Sequence, residues 1–144
     1  MMKNILLICG YNEKIKNFLK EIDIESKDIV CIAPLTERPI DLPENIAFIS
    51  GEPYLDEVLR RGNIEAVSEA IISLDRDQDA ILTVLTIENI NKEIITICNV
   101  VSEANLKHLT RLGVDKVFCD ELVGGQIFAA LYLGEDFYEQ QKRL

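Results

Sequence analysis

The 144-residue sequence has no tryptophan, one histidine, and only 15 lysines and arginines against 25 aspartates and glutamates. The formal charge of −10 disfavours phosphate backbones and anionic lipid surfaces as partners, because both reward Lys and Arg clusters and repel an acidic surface. Nucleic acid is not an expected ligand. No apolar run approaches the ~20 residues a membrane-crossing helix needs, and the start, Met1 to Gly10, runs into a strand-like segment without a secretory cleavage pattern. The four cysteines, Cys9, Cys31, Cys98 and Cys119, make no CxxC pair. They read as small buried hydrophobes of a reducing compartment rather than metal ligands. His108 lies within a helical pattern (Leu106, Leu109, Leu112) with no second His or Cys at ligand spacing, which leaves neither a metal site nor an evident proton-transfer residue.

What the chain does have is aliphatic side chains in short runs. With 48% hydrophobic residues, it suits one domain over residues 1–144: a core of sheet and helices over 1–119 and a C-terminal dimerisation or crossover helix over 120–144. Runs rich in branched residues occur at Ile5–Cys9, Ile29–Ala33, Ile46–Ser50, Ala70–Leu74, Ile94–Val101 and Lys116–Cys119, and their continuity suits strands buried on both faces. Between them the period changes to that of a helix. Ile15, Phe18, Leu19 and Ile22 form the first stripe, with Asn12 as its N-cap. Leu55, Val58 and Leu59 mark the second, closed by Gly62; the third covers Ala80–Ile90, the fourth Leu106–Leu112, and the last starts near Asp120. Pro34, Pro39 and Pro43 exclude a regular helix between Pro34 and Asn45. The alternation predicts an α/β fold: a Rossmann-like, doubly wound, parallel six-stranded sheet with helices on both faces and a long C-terminal helix.

Two helices carry more apolar residues than a sheet can cover. Ile81, Leu82, Val84, Leu85, Ile87 and Ile90 surround the third helix, and Ile127 to Leu133 form an unbroken apolar stretch in the last. Such surfaces predict a homo-oligomer with these helices at the interface.

If the strands take the doubly wound order 3-2-1-4-5-6, the ligand crevice opens beyond the carboxyl ends of the first and fourth strands, at Gly10, Tyr11, Asn12, Asp75 and Arg76. A dinucleotide fingerprint would place glycine at positions 10, 12 and 15, and this chain has Gly10, Asn12 and Ile15. Gly10 still permits the turn, but a side chain at position 12 narrows the approach of a pyrophosphate, and Glu13 adds charge that competes with an anion. The end of the second strand reads Ala33-Pro34 where an acid would hold ribose hydroxyls. Classical NAD binding is therefore disfavoured. Asp75-Arg76-Asp77-Gln78-Asp79 starts like a calcium loop but lacks its glycine at Ala80 and its glutamate at Thr86, so its acids read as complements to a helix dipole.

Several segments in this order and spacing resemble the RCK (TrkA-N) family: Ile5 to Asn12, Ser50-Gly51-Glu52-Pro53, Glu57 to Arg61, Ala70 to Asp75, Asn105 to Leu109, Gly113 to Val117, and Glu121-Leu122-Val123-Gly124-Gly125 opening the long helix. The resemblance implies a regulatory, ligand-sensing domain of a potassium channel or potassium-uptake system, not an enzyme. It further implies a place in the cytoplasm at the inner face of the membrane, a dimer or ring, and a membrane pore as partner. A ligand, expected near Gly10, Tyr11, Asn12, Glu52, Asp75 and Arg76, would be an adenine nucleotide such as NAD, ATP or ADP. In calcium-gated members the ligating carboxylates would fall at Ser73, Asn99 and Val101, none of which is a carboxylate. On the residues themselves, a small nucleotide-dependent enzyme such as an oxidoreductase and a stand-alone protein-interaction module stay open beside the regulatory reading.

Overall fold

Continuous aliphatic runs become strands here because both faces of the sheet carry apolar side chains, packed under helices and connections except on one side of the last three strands. The computed structural model describes residues 4–134. Its strands are β1 (Ile5–Cys9), β2 (Asp28–Ala33), β3 (Ala47–Ser50), β4 (Val67–Ile72), β5 (Ile95–Val100) and β6 (Lys116–Cys119). They form one six-stranded sheet in the order β3-β2-β1-β4-β5-β6, every neighbouring pair parallel. The helices are α1 (Glu13–Glu21), α2 (Asp56–Arg61), α3 (Asp77–Ile90), α4 (Ala104–Arg111) and α5 (Asp120–Tyr132), with short 3₁₀ turns at Ile24–Ser26 and Ile64–Ala66. This is the doubly wound Rossmann-like arrangement, with its switch point between β1 and β4.

Strand alternation sends Leu6 and Ile8 to one face and Leu7 and Cys9 to the other. On the first face they meet Ile15 and Leu19 of α1, together with Leu42 and Ile46 from the proline-rich connection. On the second, they meet Val58 and Leu59 of α2, Val84 and Ile87 of α3 and Leu109 of α4. The connection after β2 has no regular helix, as its prolines require. It is held by Arg38, whose guanidinium donates to the carbonyls of Ile46 and Pro43 (2.6 Å each) and of Leu42 (3.4 Å).

Some boundaries differ from the pattern-based expectation. β4 spans Val67–Ile72 rather than Ala70–Leu74, because Ser68 and Glu69 interrupt the apolar run yet lie in the strand, Glu69 in register with Leu6 and Ile95. α3 starts at Asp77 rather than Ala80, and α4 covers Ala104–Arg111 rather than Leu106–Leu112. Polar first turns hide where an apolar period begins. Gly62 does close α2, but at φ −83° it is not in the left-handed region; a Cβ there would lie 3.1 Å from Ile32 Cδ1, a side-chain end that would have to give by a few tenths of an ångström.

The apolar excess of α3 and α5 has a structural counterpart. α3 buries Ala80, Thr83, Val84 and Ile87 and leaves Leu82 and Leu85 39% and 45% exposed. α5 buries only Ala130, while Phe128 and Tyr132 are 78% and 89% exposed. On the α1 side of the sheet, β4, β5 and β6 carry an open apolar groove of about 170 Å³, lined in part by Phe18, Ile71, Ile97 and Phe118. Of the helix expected over 120–144, residues 135–144 lie outside the described part.

Candidate functional site

The crevice is built on Gly10. Its amide donates to Ile32 O (2.8 Å), and its φ of +109° turns the chain from β1 into α1. A Cβ at this position would stand 1.9 Å from the carbonyl oxygen of Ser73, so only glycine lets the β1–α1 turn lie against the end of β4. Asn12 then fastens that turn. Its Oδ1 caps α1 by accepting from Ile15 N (3.0 Å), and its Nδ2 donates to the carbonyl (3.2 Å) and Oγ (3.1 Å) of Ser73. Ile15, in the third fingerprint position, is buried in the core on the α1 side of the sheet.

All six residues expected around a ligand line one crevice of about 210 Å³: Gly10, Tyr11, Asn12, Glu52, Asp75 and Arg76. Ala33, Pro34 and Leu35 from the end of β2 and Ser73, Leu74 and Asp79 complete its wall. Among these described residues Arg76 is the lone cation, facing the carboxylates of Glu52, Asp75 and Asp79; it also donates to Gln78 Oε1 (3.1 Å). The balance disfavours a highly charged anion and suits a ligand with hydroxyls and few phosphates. Tyr11 bounds the crevice on one side. Its hydroxyl donates to Asp41 Oδ1 (2.9 Å), and Lys16 Nζ sits 3.0 Å from Asp41 Oδ2 and 5.4 Å from the tyrosine ring centre. Burial, then the bond to Asp41, pushes the phenol up to about 12, while Lys16, then Tyr11, holds the Asp41 carboxyl below its ordinary range.

The TrkA-N domain family model matches residues 6–120. The chain belongs to that family. Its relatives include potassium channel protein 1 of Methanocaldococcus jannaschii, 24% identical over 141 residues that cover 96% of this chain and 42% of the relative. Another is the putative potassium channel protein YugO of Bacillus subtilis, 29% identical over 122 residues, 78% of this chain and 37% of that protein. The chain thus spans about two fifths of the length of these curated relatives. Among solved structures, the TrkA-N domain of the inner membrane protein ybaL from Escherichia coli superposes with a TM-score of 0.80 at 17% identity, covering 91% of this chain and 97% of that one. The GsuK channel bound to NAD (TM-score 0.71, 19% identity, 80% of this chain and 21% of that one) and the Shewanella denitrificans Kef CTD in its AMP-bound form (0.75, 15%, 97% and 88%) share the fold.

Two polar clusters that spacing did not reveal tie this TrkA-N domain together beside the crevice. Asp77 stands in the first turn of α3, where it complements the helix dipole, but its carboxylate also accepts from Val101 N (2.8 Å), Ser102 N (2.9 Å) and Asn105 Nδ2 (2.8 Å). It thereby clamps the β5–α4 turn to the start of α3. Burial opposes its charge, but the three donors outweigh burial and hold its carboxyl below the ordinary range. In the second cluster, Asn99 Nδ2 donates to Asp120 Oδ1 (3.1 Å), and Lys14 Nζ lies 2.9 Å from Asp120 Oδ2, which joins β5, α1 and the start of α5. Asn99 Oδ1 is buried and lacks a hydrogen-bond partner among the described residues.

The clamp predicts a measurable loss. Asp77→Ala removes bonds to a charged acceptor at a partly exposed site, worth about 2 kcal/mol after solvent screening, or roughly 5 °C of melting temperature by calorimetry. Since the folded carboxyl titrates below its unfolded value, this contribution is present above the unfolded pKa of about 3.9 and disappears as pH falls through the folded one. Wild type and variant should therefore converge in stability in strong acid and differ fully at pH 7.

The remaining chemistry-bearing groups are quiet. All four cysteines are free and buried, and burial pushes the Cys31 and Cys98 thiols up to about 12, far from the thiolate form. His108 is exposed on α4. Among the described residues no group of His, Cys, Asp or Glu is arranged to hold a metal ion, and no helix is long and apolar enough to cross a membrane.

Proposed function

We propose that this chain is a single non-catalytic regulatory domain of a potassium channel or potassium-uptake system, held in the cytoplasm at the inner face of the membrane. It assembles as a homodimer or ring through the outer faces of α3 and α5, and an adenine nucleotide in the β1/β4 crevice biases that assembly. The observation that carries the reading is the pairing of a glycine-turned crevice at the sheet's switch point with a large unpartnered apolar surface on α5. Its potassium-channel relatives and nucleotide-bound structural neighbours support it.

The route from ligand to assembly is short. Asp75 and Arg76 line the crevice and lead directly into α3, whose outward Leu82 and Leu85 belong to the proposed interface. Thr86 Oγ1 lies within hydrogen-bond reach of Tyr54 O (2.8 Å), which puts the Glu52–Leu55 segment against α3. A ligand shifts such an assembly only by its difference in affinity for two arrangements.

A thermal-shift panel of AMP, ADP, ATP, NAD and divalent cations tests the sensing half. A nucleotide at about 100 times its Kd stabilises by about 2.7 kcal/mol, roughly 5–10 °C for a chain of this size. No shift with any nucleotide would sink the sensor and leave the assembly domain standing.

A further inference from the structure

We infer that Asn12 is an internal lock that bars dinucleotides from the crevice and leaves it to mononucleotides, an inference that rests on the nucleotide reading above. The side chain works in two directions. Its Oδ1 takes the Ile15 N–H, one of the first-turn donors through which a helix N-terminus holds a phosphate, and so stands in for the anion itself. Its Nδ2 reaches across to the carbonyl and Oγ of Ser73 just past β4, which closes the floor between β1 and β4.

That floor matters differently to the two ligand classes. A dinucleotide spans the switch point with a nucleoside on either side, so its pyrophosphate has to cross between β1 and β4 at the α1 N-terminus. Doing so here means breaking all three Asn12 bonds and leaving the Ser73 carbonyl and the Ile15 amide to be satisfied anew. A mononucleotide has one terminal phosphate and no second half to place, so it can stay at the mouth, where Arg76 is the available cation. The crevice of about 210 Å³ is smaller than the roughly 300–1,000 Å³ usual for small-molecule sites, so a nucleotide there lies partly outside it. The walls agree with this assignment: Ala33, Pro34 and Leu35 offer an apolar surface to a base, and Glu52 supplies a carboxylate for ribose hydroxyls that the end of β2 lacks.

The test titrates AMP and NAD by calorimetry into the full chain, as wild type, Asn12→Gly and Asn12→Ser. Glycine is tolerated at a helix N-cap; serine keeps a capping oxygen yet is too short to span to Ser73, so the pair separates loss of the lock from loss of the cap. The expected result is an NAD affinity at least about tenfold higher in Asn12→Gly than in wild type, with Asn12→Ser also gaining, while AMP affinity changes less. Circular dichroism identifies a variant that fails to fold, in which case the other decides. Wild type binding NAD as tightly as AMP, or no gain of NAD in a folded variant, overturns the lock. If AMP still binds in that case the nucleotide reading survives; if AMP binds none of the three proteins, that reading falls with it.

Discussion

Phe128→Asp combined with Leu131→Asp should convert the dimer proposed through α5 into a monomer, with a dissociation constant weakened by at least about three decades. α5 buries only Ala130, and its exposed Phe128, Leu131, Tyr132 and Leu133 form one apolar surface on a helix that the sheet leaves uncovered. Burying a side chain of this size contributes about 1.5–3 kcal/mol, and a two-fold interface counts each substitution twice. Losing one such contribution from each copy already costs about 4 kcal/mol, close to a thousandfold in affinity, before the cost of dehydrating introduced carboxylates. Because both positions are exposed in the single chain, its own stability should change little. Light scattering checks the first statement and thermal melting the second. A variant that keeps the wild-type mass would move the interface elsewhere, with the outward leucines of α3 next to be tested.

Gly10→Ala should destabilise by about 3–5 kcal/mol, enough to leave a chain of this class marginal or unfolded at 37 °C. Two effects add at this residue. The φ of +109° lies where side-chain-bearing residues are strained, at about 1–3 kcal/mol. The new Cβ would also sit 1.9 Å from the Ser73 carbonyl oxygen, a backbone atom that cannot rotate away, so β1 and β4 must separate locally at a further 1–3 kcal/mol or so. A melting temperature lower by roughly 10–15 °C is expected. Gly125→Ala is the contrast: a Cβ there meets nothing within 4 Å, and alanine favours the helix by about 1 kcal/mol over glycine. A Gly10→Ala protein as stable as wild type would mean that the turn and the end of β4 are not in the close contact described.

The sheet was legible in the sequence because Ile5–Cys9 and Ile29–Ala33 are unbroken apolar runs, and a run of that length between helical periods has few alternatives. Its parallel pairing followed from the alternation of strands and helices together with right-handed crossovers, and the three prolines before Ile46 announced the irregular connection. The edges of β4 and α3 were less legible, since Ser68, Glu69, Asp77 and Gln78 are polar residues inside regular elements. Gly10, Asn12, Asp75 and Arg76 were findable from topology, which puts strand ends together. The bonds that shape the site were not. Asn12 meets Ser73 across 61 residues, Tyr11 meets Asp41 across 30, and Asp77 meets Val101 across 24. No periodicity encodes such pairs, and each exists only once the sheet has brought two distant turns side by side. The family resemblance carried by the short segments agrees with the TrkA-N match over residues 6–120.

Hydrogen–deuterium exchange of the full chain with and without saturating AMP tests the proposed link between crevice and assembly in one measurement. The account predicts slowed exchange at residues 10–15, 51–55 and 74–80, where the crevice is built, together with altered exchange in α3 and α5, where the assembly is biased. Exchange unchanged at the crevice, or protection confined to a distant surface with α3 and α5 unaffected, would contradict it.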